Sequence, residues 1–202
     1  RLLRDGREIA IPAGQIFRPE NGHAFEVPGV GAMDAYPNGD ALHYIEVFGL
    51  GPELREMGRY AMRWPGHNPF WNAMAELGFL DETPRRIGGA DLSPRRFVVE
   101  HLAPRLQFAD AERDLVVIRV EAWGLKGGQP RRATYELVDY RDLSTGLFAM
   151  NRTVGFTTSI AAQLVLSGQV RKAGLLNPAR DLSAAAVAEE LKKRGMRIER
   201  RV

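Results

Sequence analysis

The sequence predicts an α+β fold: a mixed, largely antiparallel sheet with helices packed on one face. Three observations predict it. Residues 113–141 alternate with a period of two on both sides of Gly127-Gly128. Helix starts of the cap-then-proline kind occur at Asn68-Pro69 and Ser93-Pro94. Strands and helices are mixed without a βαβαβ rhythm.

The elements follow in order. Leu2–Ile11 is strand-like and contains the turn pair Asp5-Gly6. Residues 12–57 are rich in Gly and Pro, and within them Ala41–Phe48 fits a short strand or one helical turn equally well. Residues 58–64 alternate like a strand and end in the turn Pro65-Gly66. A helix over about 69–77 follows, with Asn68 as its cap and Gly78 as its stop. Its Phe70, Ala73, Met74 and Leu77 form one apolar stripe. The next helix, about 94–103, offers Phe97, Val98 and Leu102 as a buried side and ends at Pro104. In the hairpin that follows, Val116, Ile118, Val120 and Ala122 face one way, and Arg119 and Glu121 the other. The hairpin is placed at the centre of the sheet. A helix over about 156–167 has Ile160, Ala161, Leu164 and Val165 as its stripe and Gly168 as its stop. The last helix, about 184–194, starts at Ser183 and stops at Gly195. It carries Glu189/Lys193 and Glu190/Arg194 at i,i+4. Met196–Val202 can add a short final strand.

Composition narrows the function by exclusion. The 202 residues hold 45% hydrophobic and 26% charged residues, a globular balance. The formal net charge of +3 is small for this length, and no run of five Lys/Arg occurs, so nucleic acid is not an expected partner. No apolar stretch reaches the ~18 residues of a membrane span. The absence of cysteine removes disulfides, thiolate metal sites and a Cys nucleophile. His23, His43, His67 and His101 are too far apart in sequence to share a helix face, so no metal site is expected. Gly29-Val30-Gly31 and Gly49-Leu50-Gly51 lack the third glycine and the strand–turn–helix setting of a dinucleotide loop. There is no phosphate-binding loop of the GxxxxGK type and no GxSxG nucleophile elbow.

Three clusters carry chemistry. Arg59 and Arg63, four apart on a strand, share one face just ahead of a helix N-terminus at His67-Asn68. Such an end carries about +0.5 charge. Two guanidiniums beside it suit a carboxylate, which Arg grips with a planar fork. Two surface arginines on a half-exposed strand are the plainer alternative. Tyr36-Pro37-Asn38-Gly39-Asp40 is a turn by composition. Arg152 and Thr153, read as lying just before a helix, could hold an anion or cap that helix.

At these clusters the chain resembles the C-terminal domain of the saccharopine dehydrogenase family, which includes saccharopine reductases and lysine 6-dehydrogenases. The family pattern YPNRDS corresponds to Tyr36–Ala41, RGTLRYPG to Arg59–Gly66, and LGLLDE to Leu77–Glu82. A YELVDxxDxxTGxTAMxRTTG stretch corresponds to Tyr135–Gly155, and a closing GV…P…LKKRGI stretch to Gly174–Met196. Gly39, Ala41, Tyr60, Ala61 and His67 depart from the pattern around the substrate pocket.

The resemblance implies one substrate-binding and dimerisation domain over 1–202, cut from a longer cytoplasmic protein whose Rossmann domain precedes it. NAD or NADP would bind the full-length protein and not this fragment, which alone is expected to be inactive. The reaction implied is oxidation or reduction at a C–N bond of an amino acid. The implied substrate-binding residues are Arg63, Arg59, Asn38, Asp40, His67, Arg152 and Thr153, lining one cleft. The expected partners are an amino-acid substrate, the chain's own Rossmann domain and a second copy in a homodimer. A non-catalytic dimerisation or ligand-binding module on the same scaffold is the alternative.

Overall fold

The computed structural model describes every residue, Arg1–Val202, as two compact units, Arg1–Gln107 and Phe108–Val202. Every strand pair in both is antiparallel, and the class is α+β as the sequence predicts. The strands form four small sheets rather than a single large one.

The first unit opens with the hairpin β1 (Leu2–Arg4) and β2 (Arg7–Ile9). Asp5 and Gly6 both have positive φ at its turn, the backbone that a two-residue hairpin needs. Strands β3 (His23–Val27), β4 (Gly31–Pro37) and β5 (Tyr60–Arg63) make a three-stranded sheet with β4 in the middle. The Gly/Pro content of this stretch conceals two of the three strands from a periodicity reading. Val27, Met33 and Ala35 are buried. Residues 43–48 resolve as the helix α1 (His43–Phe48).

Helix α2 (His67–Glu76) begins two residues ahead of the predicted start. Its cap is Gly66 at φ 94°, not Asn68. The Asn68 side chain instead donates to the Ala35 carbonyl at 3.0 Å, tying the first turn of α2 to β4. The expected buried stripe is corrected as well. Phe70 and Leu77 are exposed, Leu77 by 73%, and the inward side carries His67, Asn68, Trp71, Met74 and Ala75. A short hairpin follows, β6 (Arg85–Ile87) and β7 (Ala90–Leu92), turning on Gly88-Gly89. Helix α3 (Pro94–Leu102) is capped by Ser93, as its sequence predicts; Val98 is buried, but Phe97 is exposed.

The second unit is built on the long hairpin. Strands β8 (Leu115–Lys126) and β9 (Gln129–Tyr140) pair along their whole length about Gly127-Gly128. After α4 (Ala149–Leu166), α5 (Pro178–Asp181) and α6 (Ala184–Lys193), β10 (Glu199–Arg201) adds to the other side of β9. So β9 is central, and β8 is an edge strand rather than part of the centre. Leu137 packs with Ile160, Leu164, Leu191 and Met196 from the α4–α6 layer. That core contributes stability in proportion to its buried apolar area, about 25 cal/mol per Å².

The two faces of the hairpin split as predicted, yet the burial runs against simple expectation. Ile118 and Val120 are 48% and 57% exposed, whereas Glu136 on the opposite face is only 4% exposed. Burial of that carboxylate is tolerated because Arg119 and Arg201 pair with it at 2.7 and 2.8 Å from both neighbouring strands. On α6, Lys193 pairs with Glu190 at i,i+3 rather than with Glu189, and Arg194 takes Glu190 at i,i+4 as predicted. No helix is long and apolar enough to cross a membrane.

Candidate functional site

The pairing of β4 with β5 builds the site. Its register sets Asp34 opposite Arg63 and Tyr36 opposite Ala61. Opposed residues share a face, and a separation of two or four along a strand keeps that face. Asp34, Tyr36, Ala61 and Arg63 therefore stand on one side of the sheet. Arg59 continues that row just beyond β5, where its carbonyl accepts the Asn38 N–H at 2.9 Å. Arg63 stands in the registered row, and Arg59 lies one residue outside the register.

Neither guanidinium meets a carboxylate. Arg63 donates through Nη1 to the Met62 carbonyl at 2.7 Å and leans over the Tyr36 ring, 5.9 Å from its centroid. Arg59 lies beside the turn at Gly39, where a Cβ would sit 3.0 Å from its Nη1. With φ 86° that position also favours glycine on backbone grounds. Both arginines are exposed.

His67, the first residue of α2, stacks on Tyr36 at 5.3 Å and 9° between planes. Phe17 meets both rings, and Trp71, one helical turn on, lies 6.2 Å from His67. Asn68 has already committed its amide N–H to Ala35, so its Oδ1 acts as acceptor toward His67 Nδ1 at 3.3 Å. Nδ1 is then the protonated nitrogen, and Nε2 keeps its lone pair. Burial lowers the His67 pKa from its ordinary 6.5, with Arg63 adding to that effect; the bond to Asn68 and the Asp34 charge act the other way. The ring is therefore neutral at pH 7.

The helix end differs from the sequence expectation. The Gly66 N–H is not open to an anion, because Asp34 Oδ2 accepts it at 2.9 Å. The two arginines thus carry the positive character of the site without help from that group. Asp34, Tyr36 and Phe17 extend the predicted set.

Asp40, Arg152 and Thr153 make bonds within the chain itself. Asp40 pairs with Arg1 at 2.7 Å and accepts the Leu42 N–H, and these bonds hold its pKa below the usual carboxylate value. Asn38 is exposed and bonded through its backbone. Arg152 and Thr153 lie inside α4, not before it, and belong to the second unit. Arg152 forks onto Asp139 at 2.8 and 3.3 Å and also donates to the Arg194 carbonyl. Thr153 Oγ1 donates back to the Ala149 carbonyl of its own helix at 2.9 Å. The Arg152 guanidinium thus ties α4 to β9, whereas the Thr153 hydroxyl is satisfied within its own helix.

The saccharopine dehydrogenase C-terminal domain model matches residues 1–196, and the chain belongs to that family. Saccharopine dehydrogenase [NADP(+), L-glutamate-forming] of Saccharomyces cerevisiae is 33% identical over an alignment covering 88% of this chain and 52% of that protein. The mitochondrial alpha-aminoadipic semialdehyde synthase of Bos taurus is 22% identical over 96% of this chain and 27% of that protein. A solved apo structure of the L-Glu-forming saccharopine dehydrogenase of S. cerevisiae superposes with a TM-score of 0.82 at 20% identity, covering 99% of this chain and 57% of that one. It shows that the fold is shared. The chain spans about half, or less, of the length of these relatives.

Two predictions follow from this geometry. Arg152→Ala leaves Asp139 buried and unpaired, which costs roughly 3–5 kcal/mol, read as a lower urea midpoint with an unchanged slope. His67 titrates by NMR with a midpoint below 6.5. Its folded pKa lies under its unfolded one, so the unfolded chain gains a proton first on acidification. The neutral stacked ring therefore contributes stability above about pH 6.5 that is lost as pH falls through the folded midpoint.

Proposed function

We propose that this chain is the substrate-binding domain of an NAD(P)-dependent oxidoreductase acting at a C–N bond of an amino acid, with Arg63 and Arg59 holding a substrate carboxylate. The observation that carries the reading is the place of these two unpaired arginines, on the β4–β5 row that also presents Tyr36 with His67 stacked on it. Arg119, Arg152, Arg194 and Arg201 all engage carboxylates of the chain itself. Arg59 and Arg63, four residues apart along one row, engage none. A guanidinium keeps five N–H donors in a rigid fork, and only one Arg63 donor is used, on a neighbouring carbonyl. The names of the relatives, which concern saccharopine, glutamate and aminoadipic semialdehyde, fit a carboxylate-bearing substrate.

The dinucleotide does not fit these residues. Every strand pair is antiparallel, so there is no parallel βαβ crossover to cradle a pyrophosphate, and the Gly66 N–H at the start of α2 already serves Asp34. The cofactor falls to a Rossmann domain of the full-length protein. What this chain contributes is positioning: it fixes the substrate carboxylate so that the reacting carbon is presented in one orientation. Tyr36 and His67 supply an apolar wall beside Arg63 that shields the ion pair from water. A homodimer belongs to the same reading, since β8 leaves an open edge and exposes Ile118, Val120 and Trp123.

In the full-length enzyme, Arg63→Lys keeps the charge and loses the fork. KM for the amino-acid substrate rises by about one to two decades, the equivalent of roughly 1.5–3 kcal/mol, while kcat changes little. Unchanged steady-state kinetics in that variant overturn the reading.

A further inference from the structure

Asp34 and Arg63 are directly opposed across β4 and β5. Opposite charges at such positions have Cβ atoms about 5 Å apart and ordinarily pair. Here they do not. Arg63 is turned to the Met62 carbonyl, and Asp34 is held by the Gly66 N–H through Oδ2 alone. Asp34 Oδ1 accepts nothing from the protein. A carboxylate oxygen and a guanidinium fork thus stand next to each other on one open face, each with capacity left over and each kept from the other by a backbone bond.

That arrangement complements a molecule bearing an ammonium and a carboxylate on one carbon. We propose that Asp34 receives the α-ammonium of an amino-acid substrate while Arg63 takes the carboxylate on the same carbon, so that the site reads the zwitterionic head group rather than a carboxylate alone. The assignment rests on the reading of Arg63 given above and names the substrate class it admits. One further feature agrees with it. His67, stacked on the Tyr36 ring, is neutral at pH 7 and does not compete as a cation for Asp34. An ammonium held this way has no lone pair to offer and serves as a recognition group.

The test uses the full-length enzyme and two probes that differ only in the amine, L-glutamate and glutarate, measured as competitive inhibitors against the amino-acid substrate. Asp34→Asn is the informative variant, because the Asn amide oxygen still accepts the Gly66 N–H and only the charge is lost. It is expected to weaken L-glutamate by about tenfold or more and to leave glutarate unchanged or tighter, with the melting temperature preserved. Arg63→Gln is expected to weaken both probes. If Asp34→Asn weakens both equally, Asp34 acts only through the Gly66 turn and the proposal is overturned. If Asp34→Asn changes neither while Arg63→Gln weakens both, the ammonium assignment fails and the carboxylate reading stands. If Arg63→Gln changes neither, the carboxylate reading fails as well.

Discussion

The antiparallel register of β4 on β5 decides where the charged groups of the candidate site stand. Asp34 faces Arg63 and Tyr36 faces Ala61, so one row of side chains carries a carboxylate, an aromatic ring and a guanidinium, with a second guanidinium beyond the strand end. A slip of one residue would turn β4 over and send that row to the opposite face. Burial of Met33 and Ala35 on the alternate positions of β4 resists such a slip. So does the Asn68 bond to the Ala35 carbonyl, which locks α2 onto the same strand. A Cβ on Gly22 would lie 2.8 Å from both partners of that bond, so residue 22 is held to glycine by the contact that fixes the register.

The same logic, a carboxylate reaching from a distant strand or its flank to a helix start, operates in both units. Asp34 accepts the N–H of Gly66 ahead of α2, and Asp114 accepts the N–H groups of Ala149 and Met150 at the start of α4. These long-range caps start helices where the local sequence carries no signal. Phe148, the residue before α4, has no capping side chain, and Arg152 and Thr153 interrupt the apolar stripe, so the helix is legible only from about residue 156. At α2 the local cap-then-proline pattern points to Asn68, but Asn68 is drawn off to Ala35 and the helix starts earlier. Where the cap is local, as at Ser93 and Ser183, the predicted starts hold. The Gly127-Gly128 hairpin was legible for a related reason: period-two arms and a left-handed glycine pair are both contained in the local sequence.

The site was half legible. The spacing of Arg59 and Arg63 and the turn at Pro65-Gly66 placed two guanidiniums beside a helix start, and His67 was assigned to the same place. Asp34 escapes a periodicity reading, because β4 lies among glycines and prolines. Once Met33, Ala35 and Pro37 are recognised as one face of a strand, Asp34 and Tyr36 fall together on the other. Arg152 illustrates the opposite error. Its sequence neighbourhood resembles a family motif, yet its guanidinium is spent on Asp139, whose burial beneath the helix layer no local pattern reports.

The proposed role of this domain requires a substrate carboxylate lying against Arg63. A crystal structure of the full-length protein with L-glutamate bound tests this most directly. The account predicts a bidentate contact between the ligand carboxylate and the Arg63 guanidinium, with Tyr36 beside it. A ligand bound with its carboxylates on other residues, and Arg63 still turned to the Met62 carbonyl, would contradict it.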